Sequence, residues 1–246
     1  MTTTERVHAA ASSRSLRPVG IAGWVGTVVL FGSLFLMTGH GTAEPDFGAP
    51  TAQIQRYFET RVPGLFAAGA ALLVVGLFGL LWFFCGLSAA LRRHAAGPEW
   101  LPSVVVASGA TLAVLLVDST QAAVFRVGEG LDPQISRFAF DLSSITFANI
   151  WVALGSVSLA SGWAILAHRA EPDSAERPVW PRWLGWWALA AGAGLVLART
   201  VWTTYLWLIP YALFWVWILT VSTRMLRTRP APTHAASKGA DRHELF

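Results

Sequence analysis

From residue 19 to residue 37 the chain contains no charged side chain. At ~1.5 Å per helical residue, a run of this length reaches across the ~30 Å of hydrocarbon in a bilayer. Lipid offers no partner for backbone N–H and C=O groups, so a run that enters it must close its hydrogen bonds internally, as a helix does. Five further strongly apolar runs follow, at 63–91, 101–125, 133–167, 184–197 and 205–221, with Asp118 in the second of them and Arg137 and Asp141 in the third. The chain is 54% hydrophobic and only 13% charged, with a mean hydropathy of +0.51, which is outside the composition of soluble domains. The fold class expected is all-α: a polytopic membrane helix bundle with six transmembrane helices. The segments left outside the spans are too short for a separate catalytic domain.

Charge placement orients the bundle. With the N-terminus inside, the cytoplasmic segments hold Arg6, Arg14, Arg17, Arg92, Arg93, Arg169, Arg177, Arg182, Arg224, Arg227, Arg229, Lys238 and Arg242, and the other side holds Arg56, Arg61, Arg126, Arg137 and Arg199. That bias predicts both termini in the cytoplasm and a multi-pass protein of the cell membrane, the inner membrane where there are two. The net charge of +4 is then explained by loops facing anionic lipid, without nucleic acid as a partner. Residues 1–18 read as a disordered cytoplasmic tail, 19–223 as the transmembrane domain and 224–246 as a basic cytoplasmic tail. A cleaved signal peptide ending near Gly41-Thr42-Ala43 is the rival for the first span, but its apolar run exceeds a usual signal core, so an uncleaved anchor is expected. The single cysteine, Cys85, cannot form an intrachain disulfide.

The connections carry their own signals. Glu44, Pro45, Asp46 and Pro50 form turns, after which Ile54, Tyr57, Phe58 and Arg61 share a helical spacing. This suits either a short interfacial helix with its aromatics toward lipid and Arg56 and Glu59 toward water, or an ordinary packed loop. Asp132 and Pro133 are a good N-cap and first-turn residue for the fourth span. Tryptophans 180, 183, 186 and 187 at the start of the fifth span read as an aromatic belt. Pro210 interrupts the sixth. Gln53-Ile54-Gln55-Arg56-Tyr57 is echoed by Gln134-Ile135-Ser136-Arg137-Phe138, a hint of duplicated hairpins. Gly20, Gly23, Gly26, Gly76 and Gly79, and the pairs Ala188/Gly192 and Ala190/Gly194, predict close helix packing.

Charge inside the apolar segments is concentrated between residues 111 and 149. Asp118 and Gln121 share one helical face, and Asp141, Ile145, Ala148, Asn149 and Ser156 share another, while Arg126 and Arg199 close the outer ends of spans. The expected polar cluster is therefore Asp118, Gln121, Arg126, Asp141, Asn149 and Arg199, serving either as a packing network or as a pocket open to the outside. The six histidines are scattered, so no metal ligand set is read, and no cofactor is implied. Thirteen tryptophans include Trp151, Trp163, Trp215 and Trp217 at expected depth, where aromatic walls beside carboxylic acids would suit a cyclase acting on a prenyl chain.

Leu81-Trp82-Phe83-Phe84 with Leu87, Leu91, Arg92 and Arg93, then Leu131-Asp132-Pro133 with Asp141-Leu142-Ser143, and Pro181-Arg182-Trp183-Leu184-Gly185-Trp186 together resemble a group of small actinobacterial integral membrane proteins that share a domain of unknown function. The resemblance implies a six-helix membrane fold in the inner membrane and no particular activity. A binding or accessory protein in contact with the lipid bilayer, with a hydrophobic small molecule as its ligand, is the leading expectation. A small-molecule transporter and an intramembrane enzyme on a lipid or prenyl substrate are the alternatives.

Overall fold

The computed structural model describes residues 16–94, 98–115, 120–126, 129–167 and 180–227. Most of both expected tails, the loop at 168–179 and Asp118 lie outside the described residues. The described chain is helical: α1 (Arg17–Thr38), α2 (Thr51–Glu59), α3 (Pro63–His94), α4 (Leu101–Leu115), α5 (Thr120–Arg126), α6 (Pro133–Ala167), α7 (Arg182–Ala198) and α8 (Leu208–Arg227). Two short 3₁₀ turns, Arg199–Val201 and Tyr205–Trp207, join α7 to α8. Six stretches are long and apolar enough to cross a membrane: α1, α3, the stretch Leu101–Arg126, α6, Arg182–Val201 and Tyr205–Arg227. This is the architecture of a multi-pass membrane protein.

Local chemistry accounts for several boundaries. Proline stands in the first turn of α1, where its missing N–H has no intrahelical partner in any case. The Asp132 carboxylate accepts a 2.7 Å bond from the Gln134 N–H and starts α6 as an N-cap, as the sequence predicts. Pro210 is placed differently from the expected interruption. Helix α8 begins only at Leu208, so Pro210 sits in the first turn, where it breaks no helical bond. Helix α8 also continues to Arg227, so the basic tail expected from residue 224 begins with a helical turn.

The helices form a ring in chain order. Helix α1 packs on α3, α3 on α4, α4 on α6, α6 on α7 and α7 on α8, and α8 closes the ring on α1. One end, here the basic end, carries Arg17, Arg92, Arg93, Arg182, Arg224 and Arg227 at the outer ends of these helices. Helix α6 is the most enclosed, with 67% of its apolar window buried against 33–40% for the others. Phe83, Phe84, Trp151, Leu154, Phe214 and Trp217 fill the interior, whereas Val28, Phe35, Val74, Phe78, Val114 and Val216 point outward. So much outward apolar surface fits lipid, since soluble monomers rarely expose it contiguously.

Two pairs of helices touch backbone to backbone through glycines. In the antiparallel pair α6/α7, Gly155 lies against Gly192 and Gly162 against Gly185. In α1/α3, Gly26 lies against Gly76 and Gly79, and the Ser33 carbonyl against Gly69. Positions 155 and 162, 185 and 192, 26 and 33, and 69 and 76 are each seven apart, about two helical turns, so each pair lies on one face. Lipid tails are as apolar as leucine, and close packing supplies the attraction that the hydrophobic effect does not. Gly20 and Gly23 receive Ser222 and Leu226 of α8, which places the ring closure on the small face of α1.

Helix α2 is a correction to the interfacial reading. Ile54, Tyr57 and Phe58 are buried in protein, with Tyr57 and Phe58 edge-on to Phe140 of α6, because α6 and the adjoining loops offer them an apolar seat. The two echoed pentapeptides occupy unlike positions: residues 53–57 lie in the separate helix α2, and 134–138 are the opening turns of the span α6. Trp180 is buried rather than interfacial, and Trp163 is exposed rather than deep, since it lies near the basic end of α6 against Trp100.

Candidate functional site

The end of the ring opposite the basic end gathers four polar arrangements, each fixed by a different element. The most enclosed is Arg61, which follows α2 and is only 4% exposed. Its NH1 donates to the carbonyls of Thr38, at 2.8 Å, and His40, and its NH2 to that of Thr42 at 2.9 Å. Its carbon Cζ stands 3.9 Å from the centre of the Tyr57 ring. Thr38 is the last residue of α1, so the guanidinium sits where a helix leaves unpaired carbonyls and the negative end of its dipole. A buried cation ordinarily takes a carboxylate partner; here backbone carbonyls and an aromatic face do that work. The same loop is tied at Thr42, whose N–H donates to the Thr60 hydroxyl at 3.1 Å, and at His40, whose Nε2 accepts from the Val62 N–H at 2.9 Å. Gly41 has φ +76°, and a Cβ there would stand 2.7 Å from the Thr60 carbonyl oxygen, so glycine is required on both counts.

The second arrangement is Arg137 with Asp141, one turn apart on α6. Arg137 Nε lies 3.6 Å from Asp141 Oδ2, and NH1 reaches the Ala49 carbonyl at 3.4 Å and the Thr51 hydroxyl at 3.3 Å. Asp141 Oδ1 is buried with no hydrogen-bond partner. In the third, Arg199 Nε donates to Asn149 Oδ1 at 2.9 Å, and the guanidinium lies 5.7 Å from the Trp202 ring. Trp202 meets Phe47 of the first loop at 4.6 Å. The fourth, Arg126 with Glu129 at 3.5 Å, is mostly exposed on both sides.

Phe147 and Trp151, on either side of Asn149 in α6, belong to a connected set of rings. Trp151 stacks on Trp207 at 5.0 Å, Phe147 touches both of these and Tyr211, and Tyr211 continues to Trp215, which meets Phe31 of α1. Such edge and offset contacts add ~0.5–1.5 kcal/mol each beyond burial. The Trp217 indole, deeper in the bundle, donates to the Leu184 carbonyl at 3.0 Å.

Of the six residues expected to cluster, the structure brings Asn149 and Arg199 into contact. Asp141 instead pairs with Arg137 on its own helix, Arg126 pairs with Glu129, and Gln121 is half-buried near the start of α5. Asp118 lies outside the described residues. Sequence reasoning missed Arg61 and the Trp151/Trp207 stack. Among the described residues no group of three histidine, cysteine, aspartate or glutamate side chains could hold a metal ion. No protein-family model, curated protein or solved structure matches this chain.

Proposed function

We propose that this is a binding or accessory protein of the cell membrane, akin to the actinobacterial six-span group it resembles, with both termini cytoplasmic and the Arg61 end outside. Its ligand is an amphiphile with an anionic head. One observation carries the reading: Arg199 commits Nε to Asn149 and faces the Trp202 ring, while Phe147 and Trp151, on either side of Asn149 in α6, belong to the ring cluster with Trp207 and Tyr211. A cation at an aromatic-rich end of the bundle suits an apolar body bearing one carboxylate or phosphate. A cyclase would need carboxyl groups converging in an apolar cavity, and Asp141 is engaged by Arg137. A transporter with a helix broken at midplane is not favoured by Pro210, which sits in the first turn of α8. Retention of the first span is supported by α1, whose glycines meet α3 and α8.

Titration of the purified full chain with oleate, followed by intrinsic tryptophan fluorescence, should give a saturable change. Oleyl alcohol should bind more weakly, and Arg199→Gln should weaken oleate binding about tenfold through loss of a charge-assisted bond. Identical oleate curves for the parent and Arg199→Gln, with unchanged melting, would remove the site. Orientation is tested separately. Reporter fusions after Arg93, Arg177 and Arg229 should read as cytoplasmic, and fusions near Pro45 and Glu129 as external; a cytoplasmic signal at Glu129 would overturn the six-span topology proposed.

A further inference from the structure

At the basic end, α3, the turn before α4, α4 and α6 border a half-open cavity of about 540 Å³, whose lining includes Leu91, Arg92, Glu99, Trp100, Ser103 and Ala164. That volume lies within the ~300–1,000 Å³ of small-ligand clefts. Arg92 NH2 donates to the Ser103 hydroxyl at 2.9 Å, which holds the guanidinium at the wall with its other donors still to place. The Ser88 hydroxyl donates to the Pro102 carbonyl at 2.6 Å, pinning the start of α4 to α3 beside the cavity that Pro102 lines. Glu99 lines the same cavity and is not paired with Arg92, whose hydrogen bond goes to Ser103. Trp100 and Trp163 meet edge-on at 6.4 Å and both are exposed, as amphipathic rings at headgroup depth are.

A wholly anionic headgroup in this cavity would meet the Glu99 carboxylate, and a wholly cationic one would meet Arg92. A group carrying both charges satisfies each wall, phosphate on the guanidinium and ammonium on the carboxylate. We infer that this cavity holds the headgroup of a zwitterionic aminophospholipid, phosphate toward Arg92 and ammonium toward Glu99, with the acyl chains running along Trp100 and Trp163. Free phosphoethanolamine has the same polar chemistry without the chains.

The test is native mass spectrometry of the delipidated full chain offered equimolar phosphatidylethanolamine and phosphatidylglycerol with identical acyl chains. Phosphatidylethanolamine adducts should dominate in the parent. Glu99→Gln should bring the two lipids to parity, and Arg92→Gln should reduce both about fivefold to tenfold. Ser103→Ala, which keeps both charges, should retain the preference. Glu99 is exposed, so the Glu99→Gln comparison stands even where Arg92→Gln folds poorly. Equal adducts in the parent, or an undiminished preference in Glu99→Gln, would overturn the assignment. Displacement of the bound lipid by equimolar phosphoethanolamine would do so as well, by moving the site to a soluble zwitterion.

Discussion

Arg61→Leu should lower the stability of the folded protein by about 3–5 kcal/mol, because the carbonyls of Thr38, His40 and Thr42 would lose their shared donor in a buried position. Thermal melting in detergent should fall by about 10 °C, and hydrogen exchange should quicken at the amides of residues 39–42, which the same loop protects. Arg61→Lys keeps the charge and can reach some of the carbonyls, but it loses the planar fork and most of the Tyr57 contact. Its loss should be about 1–2 kcal/mol, with the loop intermediate in exchange. A leucine variant that melts within ~2 °C of the parent would mean that the carbonyl nest only accompanies the loop geometry and does not hold it.

What could be read in advance follows from which partners leave a mark in the sequence. Span lengths were legible because the bilayer sets them and composition alone satisfies it, so α1, α3 and α6 fall close to their hydropathy limits. The Asp132 cap was legible because its partner is two residues away. The Asn149–Arg199 contact was legible only in part: helical period puts Asn149 on a face with Asp141 and the end of a span places Arg199 at the same side of the bundle, but neither names the other as partner. Arg61 was not, since its partners are backbone carbonyls, which have no residue type to betray them. Asp141 was sought across helices, yet Arg137 one turn away reaches it without any interhelical geometry. The sixth span is read from Tyr205, where the apolar stretch Tyr205–Arg227 begins; that its first residues, Tyr205–Trp207, form a 3₁₀ turn was not legible, because hydropathy does not distinguish a 3₁₀ turn from an α-helix. That α8 returns to α1 was also hidden: Gly20 and Gly23 announce a small face, and nothing in the chain names what packs on it.

The glycine contacts carry the other large effect. A Cβ on Gly162 would stand 2.7 Å from the Gly185 carbonyl oxygen and 3.0 Å from the Leu189 nitrogen. A Cβ on Gly26 would stand 2.8 Å from the Leu80 nitrogen and 3.0 Å from the Gly79 carbonyl carbon. These are backbone atoms of a facing helix, so no rotamer change relieves the overlap, and the two helices must separate. Each of Gly162→Ala and Gly26→Ala should therefore cost about 2–4 kcal/mol, the upper range of overpacking, because separation also forfeits the dispersion contacts of the seven-residue partner site. Gly32, on the same helix as Gly26, has no atom within 4 Å of its would-be Cβ. There alanine adds helix propensity alone, so Gly32→Ala should be neutral or more stable by up to ~1 kcal/mol. Unfolding of the three variants in mixed detergent micelles makes the comparison, with the sign of Gly32→Ala serving as the control on the membrane-like environment. If Gly162→Ala and Gly32→Ala unfolded together with the parent, α6 and α7 would have to pack through side chains instead, and the seven-residue register between Gly155, Gly162, Gly185 and Gly192 would carry no energetic weight.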